Sequence, residues 1–451
     1  MENAHITEIL AAREERVARQ QSLLDAYKLP LICFTMNVAG PEKTGADIQK
    51  GFSLGKAQIS AQLKAEGLAV AHFEEHATPA GYEAFYCVAG DAKRIKALTV
   101  GIEDASPLGR LFDMDVLTVD GDKLDRSVLG HPRRKCLLCA RDAAVCSRSR
   151  AHSVEELRER TGEILREAVC EDYSRNIAEL AVKALLYEVC TTPKPGLVDR
   201  EGSGSHKDMD IFTFMSSAAA LWPYFYDCAR TGVKTCEAAP GETFRQLRIL
   251  GRTAEQTMYR ATNGVNTHKG AIFTLGLLCG AAGRAGDGMF SVPALLEQCR
   301  AMTKGLVEKD LNLDGNGATQ GQKAFAAYGI TGIRGEAEAG FPTVTEVGLP
   351  ILREGLAGGK SLNDAGCAAL LAIMTRTTDT NLIARSDRET QLAVCEQIRL
   401  LLEETPYPDE ACLRSLDAQF VEKNLSPGGS ADLLAATYFL HFYYGAAEDI
   451  Y

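Results

Sequence analysis

Apolar residues recur along the first third of the chain with two alternating periods. Residues 9–27, 46–66 and 91–102 carry them at helical spacing, whereas residues 31–38, 69–75 and 82–88 are short apolar or alternating runs that predict strands. A loop containing Pro107 and Gly109 leads into a further strand over residues 110–119, which ends in the turn Asp120-Gly121-Asp122. This order suggests an α+β or α/β N-terminal domain, and an α+β domain on a mixed sheet is expected. From Ser153 the pattern changes. Ser153 and Glu156 have the spacing of a capping box, which starts a helix. Helical periods then cover residues 176–189, 209–230, 243–262, 270–284, 292–309, 362–376 and 430–444, with almost nothing strand-like between them. The C-terminal domain is expected to be all-α, and the domains to occupy residues 1–165 and 166–451.

At 451 residues the chain exceeds one ordinary core, which agrees with two domains. A net charge of −11 argues against a general nucleic-acid binder but leaves room for a local anion site. Residues 1–10 lack the long apolar core of a secretion signal, and the most apolar helix candidate, 270–282, is interrupted by Gly276 and Gly280. Of the fourteen cysteines, Cys190, Cys279, Cys367 and Cys395 sit singly in helical patterns as small core residues, so a reducing cytoplasm is expected.

Candidate chemistry begins at residues 109–117. Side chains two apart on a strand share a face, so Asp113 and Asp115 can bind one metal ion while Phe112, Met114 and Val116 face a core. Paired carboxylates hold Mg²⁺ across a triphosphate in nucleotidyl transfer; a solvated strand edge would show the same spacing. Cys136 and Cys139, followed by Cys146 and His152, offer enough ligands for a closed Zn²⁺ site, although free thiols in a loop are the commoner case. Arg133, Arg134, Lys135, Arg141, Arg148 and Arg150 make this stretch basic, as suits phosphates, an acidic partner or a solvated loop.

Ala11-Ala12-Arg13-Glu14, Arg19-Gln20, Phe34-Thr35-Met36-Asn37, residues 109–116 and Arg134-Lys135-Cys136-Leu137-Leu138-Cys139 together resemble apo-citrate lyase phosphoribosyl-dephospho-CoA transferase, over residues 9–153. The resemblance implies a nucleotidyltransferase-like domain that attaches triphosphoribosyl-dephospho-CoA to a serine of the citrate lyase acyl carrier protein (the γ subunit), releasing pyrophosphate. Asp113 and Asp115 would then hold Mg²⁺ at the attacked phosphate, with Arg110 neutralising charge there.

In the C-terminal half, prolines at 193 and 195 forbid a helix, so residues 192–200 form a stiff loop presenting Lys194, Asp199 and Arg200. Asp208 and Asp210 stand at a helix start, where they could share a metal only at a frayed turn or through waters, or where Asp208 could cap the helix. Asn266-Thr267-His268-Lys269-Gly270 leads into an apolar helix whose free N–H groups suit an anion, though an ordinary polar loop reads the same way. Residues 426–432 make a second glycine-rich entry, with Ser430 a candidate N-cap and Asp432 a first-turn acid. No G-x-x-x-x-G-K-[ST] occurs, so a P-loop is excluded.

Residues 194–200, 205–210, 266–270, 334–342, 379–385 and 426–435 together resemble triphosphoribosyl-dephospho-CoA synthase. That helical family joins ATP to 3′-dephospho-CoA and displaces adenine. The resemblance implies catalytic roles for His206, Asp208, Glu336 and Glu338, and Mg²⁺ ligation by Asp208, Asp210 and Asp379. It implies nucleotide or phosphate binding by Lys194, Gly196, Lys207, Thr267, His268, Lys269, Arg334, Ser426, Gly428, Gly429 and Ser430. Thr319-Gln320-Gly321-Gln322 departs from the family, many of whose members carry Thr-His-Gly-Glu there. Two alternatives stand beside the bifunctional reading: a helical domain that binds the precursor without catalysis, and the malonate decarboxylase carrier protein as target.

Overall fold

The computed structural model describes residues 2–286, 291–311 and 320–448. The chain divides into two compact units, Met1–Glu171 and Asp172–Tyr451.

The first unit is built on a four-stranded sheet: β1 (Leu31–Met36), β2 (Ala69–Thr78), β3 (Gly81–Ala89) and β4 (Phe112–Leu117), in the order β2-β3-β1-β4. The expected mixed sheet is instead antiparallel at every pairing. Helix Ala46–Ala65 returns the chain so that β2 runs in the direction of β1, but β3 folds back between them and separates the two. With helix Ala92–Asp104 before β4, this is the split βαβ arrangement. One sheet face, with Ile32, Phe34, Ala84, Tyr86, Phe112, Met114 and Val116, is buried with Phe52, Ile59 and Ile95 of these two helices. The opposite face meets helix Glu2–Tyr27, through Arg16 bound to the buried Glu83 and through Tyr27 stacked on His72.

The second unit is helical among its described residues. Helices Lys269–Ala285, Leu362–Arg376 and Gly428–Glu448 are apolar almost all round and form its centre. Close approach there requires glycine: a Cβ on Gly283 would collide with the Ala229 carbonyl on helix Trp222–Lys234. The helix predicted over 209–230 divides after Ile211–Ala220, because Pro223 opens the next one. That predicted over 292–309 divides into Val292–Thr303 and Leu306–Leu311 around Gly305, whose φ is 75°. The helices predicted from Ser153 and over 176–189 are one element, Val154–Cys190. All fourteen cysteines are free, and among the described residues no helix is long and apolar enough to cross a membrane.

Candidate functional site

The helical unit encloses a cleft of about 1320 Å³, lined by stretches that are far apart in sequence. Lys194, His206, Asp208, Thr267, His268, Lys269, Arg334, Glu336, Asp379, Ser426, Gly428 and Gly429 all line it. Gly196, Lys207, Asp210, Glu338 and Ser430 do not. Prolines and glycines hold the first of these stretches without a helix. Gly196, at φ 70°, packs so closely on residue 425 that a Cβ would collide with the Leu425 carbonyl. The Ser205 hydroxyl donates to that same carbonyl at 2.6 Å, which joins the 194–206 loop to the entry of helix Gly428–Glu448.

His206 bridges this junction. Arg385 donates to its Nδ1 at 3.1 Å, and its Nε2 lies 2.8 Å from the Ser426 hydroxyl. Arginine only donates, so Nδ1 is the acceptor and Nε2 carries the hydrogen. Burial, reinforced by the Arg385 charge, lowers the pKa of this imidazole and keeps it neutral.

Two cleft acids are committed to backbone groups. Asp379 is buried: one oxygen accepts from Asn381 N (2.9 Å) and Leu382 N (3.3 Å), and the other from Ser430 N (2.8 Å) and the Ser430 hydroxyl (3.0 Å). Its four acceptor positions are thus filled, which leaves none for a metal. Glu336 accepts from the Thr343 hydroxyl (2.5 Å) and backbone N (3.2 Å). Outside the cleft, Glu338 ties down Gly305 N (2.8 Å) and Val307 N (2.9 Å) at the start of helix Leu306–Leu311. Asp210, not Asp208, caps helix Ile211–Ala220, accepting from Thr213 N at 2.9 Å within a capping box. Asp208 is exposed, lines the cleft and has no hydrogen bond within the described residues.

Lys194 is buried with its ammonium on Glu188, donating both to the carboxylate and, at 2.8 Å, to the backbone carbonyl. Burial raises the Glu188 pKa, and the lysine opposes that shift. Across the cleft, Asp432 accepts from Ala271 N at the start of helix Lys269–Ala285, and its carboxylate occupies the space a Gly270 side chain would need. Desolvation, then the charges of Glu188 and Asp379, hold this half-buried acid well above the usual carboxylate range.

His268 precedes the same helix. Its Nδ1 bonds the Ser217 hydroxyl at 2.7 Å, while its buried Nε2 and the neighbouring Thr267 hydroxyl have no partner among the described residues. Burial lowers the His268 pKa to about 3. Both atoms stand beside a helix N-terminus in the cleft, where they can bond a ligand. Lys269, Arg248, Arg252, Arg334 and Arg385 supply positive charge around the space, with Arg248 and Arg334 sharing Asp310.

Of the departing segment, Thr319 and the side chain of Gln320 lie outside the described residues. The Gln322 amide donates to the Asp310 carbonyl at 3.0 Å, and Gly321 and Asp310 line the cleft.

In the first unit, β4 is a sheet edge whose outward backbone groups are taken by side chains. Met114 N donates to Glu103 (2.9 Å), Lys96 donates to Met114 O (2.9 Å), and Arg134 donates to Phe112 O (2.7 Å). Asp113 and Asp115 project to the face opposite the core, opposite Thr35 and Cys33 of β1. Lys123 pairs with Asp115 at 2.6 Å. Asp113 is exposed as a residue, yet crowding desolvates its carboxyl, and with the Asp115 charge beside it its pKa rises. Arg110 donates to the Lys135 carbonyl. Arg16 and Glu83, which share this face of the sheet, carried no motif signal in the sequence.

The family described as ATP:dephospho-CoA triphosphoribosyl transferase matches residues 174–448, and that described as apo-citrate lyase phosphoribosyl-dephospho-CoA transferase matches residues 4–168. The chain is similar to the CitXG protein of Haemophilus influenzae, 33% identical over 96% of this chain and 95% of that protein. It is likewise similar to the CitXG protein of Leuconostoc mesenteroides subsp. cremoris, 34% identical over 97% of both. A probable 2-(5''-triphosphoribosyl)-3'-dephosphocoenzyme-A synthase of Lactiplantibacillus plantarum is 43% identical over 58% of this chain and 95% of its own length.

Proposed function

The chain belongs to the CitXG family, in which an apo-citrate lyase phosphoribosyl-dephospho-CoA transferase is continuous with an ATP:dephospho-CoA triphosphoribosyl transferase, and from that premise we propose two consecutive reactions on one polypeptide. The helical unit makes 2′-(5″-triphosphoribosyl)-3′-dephospho-CoA from ATP and 3′-dephospho-CoA. The α+β unit, read as nucleotidyltransferase-like from its paired strand acids, transfers that product to a serine of the apo acyl carrier (γ) subunit of citrate lyase. Both steps belong in the cytoplasm, which suits fourteen free cysteines.

The observation that carries the first reaction is the cleft. At about 1320 Å³ it exceeds the roughly 300–1,000 Å³ of a single small-molecule site, as two nucleotides require. The 2′-hydroxyl of dephospho-CoA attacks C1′ of the ATP ribose. The new C1′–O bond forms as the bond to adenine breaks; the hydroxyl loses a proton and adenine gains one. Asp432, whose carboxyl is held above the usual carboxylate range by desolvation, supplies adenine's proton. Asp208, with its oxygens free, takes the hydroxyl proton or receives Mg²⁺ with the triphosphate, a cation that needs only one or two carboxylates. The Lys269 and Arg334 side chains and the Thr267–His268 helix entry hold phosphates.

In the second reaction the carrier serine attacks the phosphate next to the ribose, and pyrophosphate departs. Asp113 and Asp115 suit Mg²⁺, which would offset charge on that phosphate; Arg134 and Arg110 lie near them. Chromatography of the purified chain with ATP, dephospho-CoA and Mg²⁺ tests the first step. Free adenine should appear, and should fall at least tenfold in Asp432→Asn. Tight binding of dephospho-CoA without adenine release would contradict the synthase and leave a precursor-binding unit.

A further inference from the structure

We propose that Cys136, Cys139, Cys146 and His152 bind one zinc ion, and that this ion fixes the basic loop of the transferase unit beside Asp113 and Asp115. Among the described residues this is the one set of three or more His, Cys, Asp or Glu ligand atoms that lie within 4.8 Å of one another. The Cys139 and Cys146 sulfurs are 3.5 Å apart, and His152 Nε2 is 3.4 Å from Cys139 Sγ. Ligands about 2.3 Å from a tetrahedral centre stand roughly 3.8 Å from each other, so the four atoms need only small adjustments around an ion. No sulfur pair is bonded, since all these cysteines are free.

The backbone is organised for this convergence. Cys136 N donates to Arg141 O (2.8 Å) and Ala143 N to Arg134 O (2.9 Å), closing a tight hairpin that carries the first two thiols. Leu138 N points at Cys136 Sγ from 3.5 Å, a donor suited to a thiolate. Helix Ala143–Ser149, capped by Asp142, then brings Cys146 inward, and the left-handed Arg150 turns the chain so that His152 reaches Cys139.

Apolar burial does little to order the loop. Between residues 121 and 150 only Cys146 is buried, with Leu124 and Leu137 partly buried against the sheet core, so little apolar burial offsets the entropy of fixing that length of chain. A closed Cys₃His zinc centre provides the missing term; its three thiols release their protons to solvent on binding. The consequence reaches the transferase site. From this hairpin Arg134 binds Phe112 O and pairs with Glu103 at 2.5 Å, and Lys135 O receives Arg110, all at the edge strand that bears Asp113.

Metal analysis of the purified full-length chain tests this without reference to activity. One zinc per chain is expected after dialysis, none in Cys139→Ser or His152→Ala, and one in the control Cys236→Ser, whose cysteine is exposed elsewhere. Cobalt exchanged into the wild-type protein should show thiolate-to-metal charge-transfer absorption that Cys136→Ser loses. Should the variants fail to fold, wild-type protein stripped with a chelator that is then removed, and assayed in excess Mg²⁺, replaces them: carrier modification should fall at least tenfold while adenine release is unchanged. A chain that is isolated without zinc, takes up none when it is supplied, or holds a Cys139–Cys146 disulfide would overturn the proposal.

Discussion

The Asp379 carboxylate lies 2.8 Å from the backbone nitrogen of Ser430 and 3.0 Å from its hydroxyl, so one buried acid joins the starts of helices Thr380–Arg385 and Gly428–Glu448. Gly429 leaves room for it: a Cβ there would stand 3.2 Å from the carboxylate. Asp379→Ala would strand buried N–H groups of Leu382 and Ser430 and remove a cap. A loss of about 3 kcal/mol is expected, from the roughly 1–3 kcal/mol of each orphaned group. Urea unfolding followed by far-UV circular dichroism measures it, and Asp379→Asn should lose less because one carbonyl oxygen remains.

Gly270 and Asp432 give a prediction about activity. A methyl group at 270 would displace the Asp432 carboxylate from the helix start. Gly270→Ala and Asp432→Asn should each reduce adenine release by tenfold or more. Carrier modification from ready-made triphosphoribosyl-dephospho-CoA should not change, which separates the two active sites.

The helices with long apolar periods were legible in the sequence, as was the strand alternation around Asp113 and Asp115. The breaks were not. Pro223 falls inside an unbroken apolar pattern around Leu221, and the division at Gly305 follows a left-handed backbone turn that periodicity does not register. The glycine-rich entries pointed to the cleft, but the roles of its acids depend on contacts across the fold. Asp379 and Glu336 read as chemistry and are held by backbone and hydroxyl donors. Asp432 read as a first-turn acid and faces Gly270. Glu103 and Lys96 gave no signal, since serving an edge strand from a helix requires knowing the sheet order.

The two reactions should have opposite pH limits. Asp113 is needed ionised and its pKa is raised, so carrier modification should fall on the acid side, at a pH above the ordinary aspartate value. Asp432 is needed protonated and its pKa is raised too, so adenine release should fall on the alkaline side. Rates of each half-reaction from pH 5 to 9 check this, and Asp432→Asn should remove the alkaline limb along with most of the activity.

His268 makes the helical unit sensitive to acid. Its pKa drops on folding from 6.5 to about 3, so between these values the unfolded chain binds the additional proton. Stability is therefore full above the unfolded value and is lost as pH falls, by up to about 1.4 kcal/mol per unit. Urea midpoints at pH 7 and pH 5 should differ accordingly, and His268→Gln should narrow the difference.

The central claim is that one chain carries out both steps in sequence. Its most direct test is the intact mass of apo acyl carrier protein incubated with the purified chain, ATP, 3′-dephospho-CoA and Mg²⁺. The account predicts that one serine gains phosphoribosyl-dephospho-CoA as adenine and pyrophosphate are released, and that Asp113→Ala stops the gain but not the adenine. A carrier modified only when ready-made triphosphoribosyl-dephospho-CoA is added would contradict it.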